Sequence, residues 1–249
     1  MENNRFYRVI RKIIRPITNF LWPVTIINKN KFEEGKGIYV CNHFSLLDPV
    51  PFVTELFDYD FNALMKEESI HIPVLGKILL KIGVIPIQRE ETDLRAIKKC
   101  MSVLKNDGPL IVFPEGTRNK SGSREMLDFK DGVAMFALKT KSPIIPMVYY
   151  KPIKTFRRTY LLIGDPIDLS EYYDGNLKDV RGAVTGNLKA QMHNMQIELD
   201  NLLADKKALK KMLKAQKVEY KQKSKQKKLE YKNKLMLEAP KTDNKEKSE

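Results

Sequence analysis

From residue 37 to about residue 165, short β-prone runs alternate with helical patterns, and this rhythm constrains the fold more than any other feature of the chain. The runs at 38–41, 61–65, 84–87, 110–113, 144–150 and 160–163 read as strands. Between them Thr92 can cap a helix whose apolar positions Leu94, Ile97, Met101 and Leu104 share one side and which ends at Asp107 and Gly108. Residues 130–140 read as a second helix. Such alternation predicts an α/β domain with a central mixed β-sheet flanked by helices. Active sites in folds of this kind gather at strand ends.

A chain of 249 residues with 42% hydrophobic content can build one such domain plus appendages. The expected division is an amphipathic, membrane-associating segment at 1–30, the folded domain at 31–175, a C-terminal helix packed on it at 176–205 and a lysine-rich tail at 206–249. The tail carries sixteen Lys and six acids, so +10 of the formal net charge of +14 belongs to it and the folded part is nearly balanced. Cys41 and Cys100 are too few for a disulfide framework and lie in no zinc-binding spacing, which fits a reducing cytoplasm and implies neither a metal nor a redox cofactor.

No stretch reaches the roughly 18 apolar residues that a spanning helix needs. Membrane contact would therefore be peripheral, on the cytoplasmic face of the cell membrane. Residues 5–28 interleave Arg5, Arg8, Arg11, Lys12 and Arg15 with Phe6, Val9, Ile10, Ile13, Ile14, Ile17, Phe20 and Leu21. On a helix this places an apolar stripe opposite a cationic face, with Trp22 as an interfacial aromatic. A surface helix packed on the rest of the protein has the same pattern. Pro16 and Pro23 predict two short helical pieces or a kink.

Leu177, Val180, Val184, Leu188, Met195, Leu199 and Leu202 form another helical stripe. Beyond Asp205 it fades into lysines, and a solvated tail, partly helical or disordered, is the expectation. Its lysines would add to attraction for an anionic leaflet. No specific nucleic-acid binding is expected, since arginine forks and stacking aromatics are lacking there.

Two segments carry the chemistry. The first runs Asn42-His43-Phe44-Ser45-Leu46-Leu47-Asp48-Pro49, and the second runs Phe113-Pro114-Glu115-Gly116-Thr117-Arg118. Each follows a predicted buried strand. On a regular helix His43 and Asp48 would lie about 140° apart and could not pair. With His43 in a turn and Asp48 near a first helical turn, where Pro49 is favoured, the carboxylate reaches back to the imidazole. A histidine so held is a general base for a substrate hydroxyl, worth roughly 10² to 10⁴ in rate. Taken alone, Asp48 reads as a helix N-cap and His43 as a hydrogen-bonded structural residue. Gly116 permits close backbone approach to a ligand, and Arg118 offers a fork for phosphate or carboxylate. Glu115 can orient Arg118 or accept from a substrate hydroxyl. Gly83 to Arg89 brings a second arginine to a strand end, so two guanidinium groups could grip one phosphate. Asn42 or a backbone N–H could stabilise an oxyanion.

In order and spacing these blocks, with Ile145-Pro146-Met147-Val148 as a fourth, resemble those of the glycerolipid acyltransferases, and among them the bacterial 1-acylglycerol-3-phosphate enzymes. The resemblance implies a glycerol-3-phosphate acyltransferase-like α/β fold. It implies transfer of an acyl group from an acyl carrier protein or coenzyme A thioester to lysophosphatidate, giving phosphatidate. His43 and Asp48 would be catalytic. Arg89, Glu115, Gly116, Thr117 and Arg118 would bind substrate, with Asn42 and Lys66 as further contacts, and Pro146 would help shape the acyl site. Another acceptor, such as glycerol 3-phosphate or a different lysophospholipid, is the rival within the class. A non-catalytic basic lipid- or RNA-binding protein is the rival outside it.

Overall fold

The computed structural model describes residues 5–58, 61–88 and 92–238. A helix α1 (Arg5–Leu21) leads into β1 (Val24–Ile27), β2 (Gly37–Cys41) and β3 (Ala63–Lys66). Then come α2 (Leu75–Lys81), β4 (Val84–Ile87), α3 (Leu94–Lys105), β5 (Pro109–Val112), α4 (Gly132–Thr140), β6 (Ile144–Tyr149) and β7 (Thr159–Ile163). Two long helices, α5 (Leu177–Ala204) and α6 (Lys206–Glu238), finish the described chain. The seven strands form one sheet in the order β1-β7-β6-β2-β5-β3-β4. Every pairing is parallel except β6 with β7, so the sheet is mixed.

Alternation along the central strands builds two cores. Ile38 and Val40 of β2, Leu110 and Val112 of β5, and Ile144 and Val148 of β6 face the side covered by α3, α4 and α5. Tyr39 and Cys41, Ile111, and Ile145, Met147 and Tyr149 face the side covered by α1 and α2. Because both faces are covered, these strands read as continuous apolar runs. Each fully buried aliphatic side chain contributes roughly 1.5–3 kcal/mol. The inner strands thus hold their C-terminal ends, where His43 and Glu115 emerge, on a rigid frame.

Several expectations change in detail. The segment 1–30 is not helical throughout: α1 is one helix that keeps Pro16 inside it, and Val24–Ile27 forms an edge strand paired with β7. Pro16 sits on the exposed side, where the carbonyl it leaves unpaired can meet water. The cap of α3 is Asp93, not Thr92: its carboxylate accepts from Arg95 N and Ala96 N, both at 3.0 Å. The lysine-rich segment is helical to Glu238, and its first half is docked. Leu209 is buried, and Gln216 exchanges two hydrogen bonds with Asn28 at 2.9 and 3.0 Å. Lys223 reaches Glu33 at 2.6 Å, and the Lys29 ammonium lies 4.9 Å from the Tyr220 ring centre. Residues 239–249 of the predicted tail lie outside the described residues.

Candidate active site

His43 and Asp48 meet in the turn that leaves β2. His43 Nδ1 and Asp48 Oδ2 are 2.9 Å apart. The same oxygen accepts from Phe44 N at 2.6 Å and Ser45 N at 2.7 Å. Three donors on one oxygen explain the five-residue spacing, because the loop must curl for its own amides to converge on the carboxylate. Asp48 is fully buried, and its Oδ1 has no hydrogen-bond partner among the described residues. The carboxylate leaves only Nε2 of the imidazole uncommitted, as a base requires.

Glu115 departs from its expected place against substrate. It is 4% exposed, and both its oxygens are taken by backbone donors, Oε1 by His43 N at 2.8 Å and Oε2 by Leu127 N at 3.0 Å. Burial pushes its carboxyl up, only partly offset by those two bonds. Glu115 therefore positions His43. Asn42 departs in the same way: it is fully buried, its Oδ1 accepts from Tyr149 N at 2.7 Å and its Nδ2 donates to Tyr149 O at 3.2 Å. These bonds tie the exits of β2 and β6 together and commit the amide to the main chain.

Four partners of the site were not evident from the sequence. Phe113 stacks on the imidazole with ring centres 4.1 Å apart and planes at 23°. Asn119 N donates to His43 O at 2.7 Å, and Tyr149 OH donates to Asp48 O at 2.8 Å. Lys130 lies against Gly116, as described below. Phe113 alone had a signal, since it ends the run before Pro114; backbone-directed contacts leave none.

The other predicted residues divide. Gly116 has φ of +66°, a conformation that favours glycine. Thr117 is exposed and Arg118 half-buried, and no acid among the described residues forms an ion pair with Arg118. Lys66 ends β3 and pairs with Glu68 at 2.5 Å. Arg89 lies outside the described residues. Pro146 is buried within β6, and its carbonyl accepts from Gly164 N at 2.9 Å. Burial raises the Cys41 thiol well above its usual range, which suits a core residue and not a nucleophile. Among the described residues, no group of three or more His, Cys, Asp or Glu side chains converges as a metal site would require.

At the edge of the domain α1 separates three faces. Tyr7, Arg11, Ile14 and Thr18 turn inward, where the Tyr7 hydroxyl donates to Phe57 O at 2.9 Å and Arg11 Nε to Val53 O at 3.0 Å. Those carbonyls belong to a stretch of π-helix at Phe52–Leu56 and its end. Arg15 meets Glu55 through two bonds of 2.7 and 3.0 Å. Ile13, Ile17 and Phe20 face outward at 58%, 55% and 73% exposure. No described helix is long and apolar enough to cross a membrane.

An α/β sheet with a histidine–carboxylate pair at its strand ends defines a class of protein, and sequence comparison gives it a family. The acyltransferase family model matches residues 23–150, and the chain belongs to that family. The 1-acyl-sn-glycerol-3-phosphate acyltransferase of Streptococcus pneumoniae is 30% identical over 220 residues, covering 83% of this chain and 80% of that one. The enzyme of the same name from Helicobacter pylori is 36% identical over 127 residues, 50% of this chain and 53% of that protein. At that level of identity the chain spans about half the length of the curated relatives it matches. The crystal structure of the 1-acyl-sn-glycerophosphate acyltransferase PlsC from Thermotoga maritima shares the fold, with a TM-score of 0.58, 23% identity and coverage of 78% and 79% of the two chains.

Proposed function

We propose that the protein transfers an acyl group from an acyl carrier protein or coenzyme A thioester to the sn-2 hydroxyl of 1-acylglycerol 3-phosphate, giving phosphatidate. The observation that carries this reading is the 2.9 Å contact between His43 Nδ1 and a buried, triply bonded Asp48. His43 Nε2 accepts the hydroxyl proton as the oxygen attacks the thioester carbonyl. The carbon–sulfur bond then breaks, and the leaving thiolate takes that proton from the imidazolium. Asp48 holds the tautomer and stabilises the cation. Arg118, joined by Arg89, holds the acceptor phosphate. Family membership and the names of the matched relatives support the substrate class.

The test is turnover of lysophosphatidate with both thioesters. His43→Ala is expected to lose about 10² to 10⁴ in kcat with its circular dichroism spectrum unchanged. Full activity in that variant would refute the mechanism.

The same reading places the protein peripherally on the cytoplasmic face of the cell membrane, with the outer stripe of α1 in the lipid. Replacing Ile13 and Ile17 together with Asp should lower co-sedimentation with anionic vesicles by about tenfold or more, since each buried Ile is worth roughly 1.5–3 kcal/mol. Unchanged sedimentation would remove α1 from the contact.

A further inference from the structure

The segment following the Glu115 loop turns its charges in two directions. Asp128 pairs with Lys189 at 2.7 Å, and Asp131 accepts from Thr185 Oγ1 at 3.0 Å and lies 3.5 Å from Arg181 Nε. All three partners sit on α5, so the acids flanking Lys130 are drawn away from it. Lys130 goes the other way. Its backbone N–H donates to Pro114 O at 2.9 Å, and its stem crosses Gly116 so closely that a Cβ there would meet Cε at 2.9 Å. No carboxylate among the described residues forms an ion pair with its ammonium.

Lys130, Gly116 and Gln88 border a cavity of about 280 Å³ whose walls include Leu64, Ile97 and Phe136. Phe113 also lines this cavity, and its ring stacks on His43, so the cavity and the imidazole share a neighbouring residue. Glu115 holds the arrangement rigid, because its two oxygens fasten the backbone of His43 and of Leu127, three residues before Lys130. A cation with no acid paired to it among the described residues, beside an apolar wall and linked to the backbone of the base through a buried carboxylate, suits an anionic group close to the reacting hydroxyl.

We propose that Lys130 is a phosphate-binding residue of the acyl acceptor site, acting with Arg118 across Gly116. This deepens the acceptor reading above and rests on it. In the acceptor the phosphate-bearing carbon is next to the carbon with the reacting hydroxyl, so a grip on the phosphate anchors the acceptor within reach of the base. A thioester donor carries phosphate too, and the test separates the two sources.

The experiment compares the wild-type full chain with Lys130→Gln and Lys130→Arg. It measures steady-state kinetics against lysophosphatidate and each thioester, and equilibrium binding of lysophosphatidate and of monoacylglycerol, which lacks the phosphate. Lys130→Gln should raise KM for lysophosphatidate about tenfold or more, keep kcat within about threefold and leave donor KM unchanged. Lys130→Arg should restore most of the loss, and binding of monoacylglycerol should not change. An unchanged acceptor KM, a loss confined to kcat, or a rise in donor KM alone would each overturn the assignment. If the wild type does not acylate lysophosphatidate, the acceptor reading has failed. Lys130 is then judged by binding alone, and equal lysophosphatidate affinity in wild type and Lys130→Gln overturns it.

Discussion

Carboxylates at two places hold this molecule in shape, a buried pair at the strand ends and the half-buried Glu55 at the α1 seam, and they are satisfied by opposite means. At the strand ends, Asp48 and Glu115 are bonded by backbone N–H groups and the His43 ring, with no arginine or lysine paired to them among the described residues. At the α1 seam, Glu55 is held by two cations, Arg15 through two bonds and Lys29 at 3.1 Å, and by the neutral Asn19 amide at 2.8 Å. The difference separates a site from a tether. Backbone donors position an acid without using a cation, which leaves Arg118 and Lys130, paired with no acid among the described residues, for the proposed phosphate grip. On α1, Arg11 and Arg15 are already committed to Asp58 and Glu55, which fixes the helix and leaves its apolar side outward.

The largest expected effect breaks the first half of that contrast. Asp48→Asn keeps the size of the side chain but replaces the charge on which three donors converge. An amide NH₂ turned toward Phe44 N and Ser45 N would oppose two donors, and an amide oxygen turned there no longer stabilises an imidazolium. Activity should fall by about 10² to 10⁴, and the unfolding midpoint should drop as well, because the loop amides lose a charged acceptor. A variant that retains activity within about threefold would show that the carboxylate serves only the loop.

The contrast also marks what could be seen in the sequence. The strands β2 and β5 were legible because burial on both faces gives unbroken apolar runs, and their exits located both motifs. The His43–Asp48 pairing followed from spacing and Pro49. The direction of Glu115 did not, since a glutamate beside an arginine looks the same whether it faces that arginine or the amides of His43 and Leu127. Asn42 was hidden likewise, its partners being main-chain atoms of Tyr149, 107 positions away. The strand β1 is four residues long, directly after the helix-ending Pro23, and reads as a continuation of the amphipathic segment. Docking of α6 escaped because its stripe continues through Gln216 and Tyr220, polar residues that apolar periodicity does not count.

The smaller effect concerns pH and should distinguish the two groups by sign. Burial pushes Glu55 up, but Arg15, Lys29 and Asn19 outweigh it and hold the carboxyl at about 2, against an ordinary value of 4.5. A folded-state pKa below the unfolded one gives stability that is complete above 4.5 and is lost as the pH falls through about 2. With Arg15 partly in solvent, this is on the order of 2 kcal/mol. Glu115 is raised instead, mainly by burial, so its own contribution is greatest when protonated and declines as the pH rises from 4.5. Urea midpoints measured from pH 7 to pH 2 should therefore diverge. Glu55→Gln should flatten the acid loss seen in the wild type, whereas Glu115→Gln should steepen it by removing a term that opposes it. Parallel curves for the two variants would mean that cations and backbone amides hold these acids alike, and the division between tether and site would not stand.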